Sequence, residues 1–194
     1  MIPSTIFSVL AAVVFAAASL LYIIDVAQKK VIPSIATFIL FGFINLSQLI
    51  SLVLEGIWSI IPFTLVGLIT SVAITMLALK YKKVYFKLPD KIALVGASIG
   101  IVVWLLTNDP AWNIYVLTIV NYIIFAPLII KSFRNPELET SLPWQLNLIA
   151  SLFLIFSVNS HAMVELAIPI RQFSCSLLLN IGLIRGKLIQ KEAK

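Results

Sequence analysis

The 194 residues are 61% hydrophobic and 11% charged. A soluble domain carries roughly 25% charged residues, so a water-soluble globule is excluded and an all-α integral membrane protein is expected. The net charge of +6 could serve a nucleic acid, but the basic residues flank apolar runs, so the expected partner is the lipid bilayer and not nucleic acid.

Crossing about 30 Å of hydrocarbon takes about twenty apolar residues. Lipid offers no partner to open backbone groups, so the spans must be helices. Seven are predicted, at about residues 5–27, 35–54, 57–79, 92–106, 112–130, 142–158 and 164–184. In the first, Phe15-Ala16-Ala17-Ala18-Ser19 has the small residues of a signal-peptidase site. No Lys or Arg precedes it, so the segment reads as an uncleaved helix. The fourth is the shortest, and its Gly96 and Gly100 form a GxxxG pair that lets another helix approach closely. The lone cysteine, Cys175, lies within the seventh, which excludes an internal disulfide and a cysteine-based zinc site and implies a buried structural thiol.

The loop charges support seven crossings. With seven, Lys29, Lys30, Lys80, Lys82, Lys83, Lys87, Lys91, Lys131, Arg134, Arg185, Lys187, Lys191 and Lys194 all fall on one side. The opposite loops hold only Glu55, Asp109, His161 and Glu165 among titratable groups. The positive-inside rule then puts the N-terminus outside and the C-terminus in the cytoplasm, in a plasma or inner membrane.

The two ends of the chain also echo each other. Pro33-Ser34-Ile35-Ala36-Thr37 leads to Phe41, and Pro136-Glu137-Leu138-Glu139-Thr140 leads to Trp144, with Pro, Thr and an aromatic at the same spacing. Tyr22-Ile23-Ile24 matches Tyr122-Ile123-Ile124, and Ile61-Pro62 matches Ile168-Pro169, at offsets of 100 to 107 residues. A duplicated three-helix unit explains these echoes. Three crossings reverse the chain's direction, and one extra crossing restores it. The expected plan is therefore two parallel three-helix bundles joined by a linker helix (3+1+3). Residues 1–80 and 111–194 are the copies, and 81–110 hold the linker.

This plan, with Ala126-Pro127-Leu128-Ile129-Ile130-Lys131 ahead of the Pro136 turn, resembles the SWEET and PQ-loop superfamily of small membrane proteins. The likeness falls in an uncharacterised bacterial branch, and the glutamine of the proline-glutamine pair is replaced. The resemblance implies passage of a small-molecule solute through a pocket between the bundles.

Within the spans, Arg171 stands out, roughly 10–13 Å along the seventh helix from its outer end at 1.5 Å per residue. An arginine near the bilayer centre costs about 2.5–3.5 kcal/mol on insertion scales, so it faces a cavity or a partner. It reads either as a group that binds an anion or carboxylate, or as a rim residue paired with Glu55 or Glu165. Helical spacing places Ser174 on its face, with Asn45 or Asn147 opposite. Asn45, Gln48, Asn121, Asn147 and Asn180 either bond between helices or line a polar pocket. Trp144 and Phe41 begin helices, as interface anchors do, and could equally form a stacking platform. Pro62, Pro127 and Pro169 are candidate hinges, with Pro62 and Pro169 expected to kink their helices. Asp25 is set for an i, i+4 pair with Lys29.

No HExxH, GxSxG or glycine-rich phosphate loop is present, so no enzyme is expected. No cofactor or metal is expected either, and a homo-oligomer is compatible with all of this. Function reduces to a transporter of a small polar or anionic solute, or a non-transporting membrane subunit whose polar residues join helices or meet a partner protein.

The topology is checked by single cysteines in a background lacking Cys175. Ser4→Cys and Asp109→Cys should label from outside, and Lys83→Cys and Lys191→Cys only from inside. Labelling of residue 83 from outside would remove both the seven-span count and the parallel duplication.

Overall fold

A computed structural model describes residues 4–31, 33–80, 88–160 and 162–192. Lys82, Lys83, Lys87, His161 and Lys194 of the topology argument lie outside these. The fold is all-helical: α1 (Ser4–Ala27), α2 (Ile35–Leu54), α3 (Ile61–Leu79), α4 (Leu88–Thr107), α5 (Pro110–Arg134), a 3-10 turn (Pro136–Leu138), α6 (Ser141–Phe156) and α7 (Met163–Glu192). Five helices, α1, α2, α3, α5 and α7, are long and apolar enough to cross a bilayer. The apolar part of α4 is shorter, and α6 has 16 residues, about 24 Å of helix.

Local chemistry sets the helix ends. The Ser34 hydroxyl accepts from the Thr37 N–H at the start of α2. The Asp109 carboxylate accepts from the Ala111 N–H at 2.9 Å, with Pro110 opening α5 where no N–H is needed. Gly56 stops α2. Its φ of 68° is left-handed, and the N–H groups of Gly56 and Ile57 return to the carbonyls of Val53 and Leu52. That is a Schellman turn, and glycine adopts its backbone without a Cβ penalty. α3 therefore begins at Ile61, four residues later than expected. Pro62 falls in its first turn, where no helical hydrogen bond exists to break. The predicted kink at Pro62 is thus corrected, whereas Pro127 and Pro169 do lie inside α5 and α7. At the end of α1 the helix stops at Ala27, Lys29 turns the chain with φ 58°, and Asp25 pairs with Lys30 at 3.7 Å.

α3 packs against α1 and α2, and α7 against α5 and α6. Between these sets α1 meets α6 and α2 meets α5, while α4 lies mainly along α5. The buried apolar residues form two clusters. One runs from Tyr22 and Phe41 to Trp144 and Leu179, the other from Ala11 and Leu52 to Leu154 and Ile168. Large apolar side chains such as Leu20, Ile69, Met76 and Ile119 point outward, as a lipid-facing surface requires.

Glycines set the closest approaches. Gly96 and Gly100 of α4 face Val120 and Asn113 of α5, so the predicted packing pair does pack. A second pair, Gly182 and Gly186 of α7, presses on Phe133 and Pro136. Added Cβ atoms there would come within 2.7 Å of Phe133 and 2.6 Å of Pro136, and would also meet the Ser132 hydroxyl. Gly182→Ala should cost about 1–3 kcal/mol of stability by overpacking. Gly42→Ala, whose Cβ would rest 3.6 Å from Ser71, should be neutral or stabilising by up to about 1 kcal/mol. Thermal unfolding in detergent compares the two, and equal melting temperatures would contradict the close α5–α7 contact.

Candidate functional site

A cavity of about 100 Å³ lies where the two apolar clusters meet, and α1, α2, α3, α5, α6 and α7 all contribute to its wall. That volume holds several waters or one small molecule. Of the predicted binding residues, Arg171, Asn45, Gln48, Asn121, Trp144 and Asn147 line it.

The polar groups meet here because the lipid-facing sides of the same helices cannot solvate them. Arg171 is 4% exposed and its Nε has no hydrogen-bond partner. Gln48 is fully buried, and neither its amide oxygen nor its nitrogen is bonded. Among the described residues no Asp or Glu lines the cavity with them. The pairing of Arg171 with Glu165 at the rim does not form, because other donors hold that carboxylate. The Asn159 and Ser160 N–H groups donate to it at 3.0 and 2.8 Å, and the Ser160 and Ser59 hydroxyls at 2.7 and 3.0 Å. These bonds tie the turn before α7 to the turn before α3. The Ser4 hydroxyl joins the same end by donating to Asn159.

Ser174 and Asn180 are placed elsewhere. Ser174 bonds the Tyr122 hydroxyl at 2.8 Å and donates to the Arg171 carbonyl, outside the cavity. Its place beside Arg171 goes to Gln172, whose Nε2 donates to Asn147 Oδ1 at 3.1 Å. A helix turns about 100° per residue, so Arg171 and Gln172 can both border one broad cavity. Asn180 lies off the cavity wall, and its Nδ2 donates to the carbonyls of Trp144 and Ser176 at 2.9 and 2.8 Å. Asn113, absent from the predicted set, likewise joins α5 to α2 by donating to the Ser47 and Ser51 hydroxyls.

Much of the rest of the wall is aromatic, from Phe15, Tyr22, Phe38, Phe41, Phe63, Phe125 and Trp144, and Ser19, Thr64, Thr70 and Ser71 of α1 and α3 add hydroxyl side chains to it. Trp144 is buried among these rings, not at an interface, and meets Tyr22 edge-on at 5.5 Å. Its indole N–H is directed at Glu139 Oε2 at 3.4 Å, and Glu139 is held by Lys131 at 2.7 Å. Phe41, at the same spacing after Pro33 as Trp144 after Pro136, packs on Phe125 at 4.9 Å. Thus both aromatics that begin helices serve the cavity. Most of the other rings were indistinguishable in sequence from lipid-facing residues. Gln172, in contrast, carried a signal, since an amide inside a span needs a partner.

Comparison with protein-family models, with curated proteins and with solved structures finds no match.

The Lys131–Glu139–Trp144 chain makes a direct prediction. Glu139 is 1% exposed in its side chain and Lys131 25%. Glu139→Gln keeps an acceptor for the indole but leaves the lysine unpaired, and should cost roughly 1–3 kcal/mol. Adding Lys131→Met should restore most of that loss, as a double-mutant cycle of melting temperatures would measure.

Proposed function

We propose that this chain is a seven-span, SWEET-like membrane transporter that carries a small polar or anionic solute through the cavity. The single observation behind this reading is Arg171: a buried guanidinium on a cavity wall, with no carboxylate among the described residues that line it. A charge in that position is solvated by water or by a ligand when it is not solvated by protein. The neighbouring amides and rings supply what a binding pocket supplies, a few polar groups on an apolar wall.

The helix contacts support the duplicated 3+1+3 plan. Exchanging α1, α2 and α3 for α5, α6 and α7 turns the α1–α6 contact into α5–α2, and both contacts are present. The same exchange turns the packing of α3 on α1 and α2 into that of α7 on α5 and α6. An offset of 103 residues pairs Ala18 with Asn121, Tyr22 with Phe125 and Phe41 with Trp144, all of which line the cavity. The offset of 100 fares worse, because Tyr122 is 39% exposed and lies outside the cavity whereas Tyr22 lines it. In this reading the N-terminus is outside, α4 is the linker, and Pro127 and Pro169 provide the bends of moving bundles.

The second reading, a non-transporting subunit, draws on the amides that join helices, Gln172 to Asn147 and Asn113 to α2. Uptake into liposomes separates the two. With a labelled panel of small organic anions and neutral sugars, at least one solute should accumulate above protein-free vesicles. Arg171→Leu should cut that uptake tenfold or more while eluting as a folded protein, and Arg171→Lys should retain part of it. Full uptake by the Leu variant would remove Arg171 from the site.

A further inference from the structure

We infer that the cavity is built for a short hydroxy- or oxo-monocarboxylate, with the carboxylate on Arg171 and the second oxygen on Gln48. The inference rests on the transport reading for its biological setting, though not for its chemistry.

Charge sets the first limit. Among the described residues Arg171 is the only ionised side chain on the wall, with no Lys, Asp or Glu lining it. One cation in a low-dielectric site balances one negative charge. A dicarboxylate or a doubly charged phosphate would bury an uncompensated charge. A guanidinium also offers parallel N–H donors that match the two oxygens of a planar carboxylate.

Size sets the second. A dry cavity of about 150 Å³ takes benzene, with six carbon atoms, and the volume here is about 100 Å³. A ligand held within that volume has about six non-hydrogen atoms or fewer. A sugar ring bearing its hydroxyls would extend beyond it.

The third limit is hydrogen bonding. Gln48 is fully buried on the wall, with donor and acceptor both unmet. A buried amide left bare is costly, so the ligand should carry an oxygen in addition to its carboxylate. A hydroxyl can give to Oε1 or accept from Nε2, and an oxo group can accept from Nε2. The seven rings around these groups leave an apolar surface for the carbon skeleton, which an inorganic anion would not use.

The test is saturation-transfer NMR on the full chain purified in detergent, with L-lactate as the probe and propionate, succinate, inorganic phosphate and glucose as competitors. Lactate should bind, and propionate, which lacks the second oxygen, should compete at least fivefold more weakly. Succinate, phosphate and glucose should not compete at tenfold excess. Arg171→Leu should weaken lactate binding tenfold or more, with Arg171→Lys intermediate. Gln48→Leu should bring lactate down to the level of propionate without weakening propionate. Absence of lactate binding, competition by succinate or phosphate at or below the lactate concentration, or unchanged binding in Arg171→Leu would each overturn the assignment. Liposome uptake then separates this inference from the transport reading. Arg171-dependent lactate binding without flux refutes transport and leaves the ligand class standing. Arg171-dependent uptake of another solute that lactate neither accompanies nor inhibits refutes the ligand class and leaves transport standing.

Discussion

The structure is governed by the absence of hydrogen-bonding partners in lipid. A polar side chain on a spanning helix must turn inward, and the groups that do so have to be satisfied by one another or by something that enters. Most are satisfied within the protein. Glu165 takes four donors, Asn180 bridges to α6, and Asn113 bridges to α2. Arg171 Nε, both ends of the Gln48 amide and the Ser19 hydroxyl are not, and these three side chains border the same space; Asn113 Oδ1 is also without a partner, away from it. The groups left without a partner on that wall are the ones the proposed binding reading assigns to a ligand.

This also explains what could be read from the chain beforehand. Helix positions followed from hydropathy, because an apolar run of twenty residues leaves few alternatives. The value of Arg171 was legible because a charge within a span is rare and costly. Its partners on α7 were less so. Ser174 and Gln172 flank it within three residues, and a rotational error of one position exchanges which of them meets the cavity. The aromatic wall was hidden for another reason. A phenylalanine facing lipid and one facing a pocket have the same hydropathy, and only the fold tells Phe63 from an outward Phe43.

Turn chemistry accounts for the remaining differences. The left-handed residue at Gly56 ends α2 and delays α3, which moves Pro62 from the body of a helix to its beginning. Apolar residues Ile57 and Ile60 continue the hydrophobic run through that turn, so hydropathy alone could not locate the boundary. Glu139 is similar in kind. A carboxylate in a loop reads as solvated, yet the fold folds it under α6 against Lys131 and the Trp144 indole.

The contact of Gly182 and Gly186 with α5 and the Pro136 turn bears on α7 as a lever. Its C-terminal half is clamped at two points, with no clearance for even a methyl group. Pro169 removes the hydrogen bond to the Glu165 carbonyl, so bending stiffness is lowest on the opposite side of Arg171 from the clamp. Arg171 lies two residues past Pro169, between that proline and the clamp, while Ile168 lies on the side that Glu165 holds to the turn before α3. Under the proposed transport reading, a bend at Pro169 would move the outer end of α7 while the clamp kept Arg171 in place, and it would first have to release the bonds that hold Glu165.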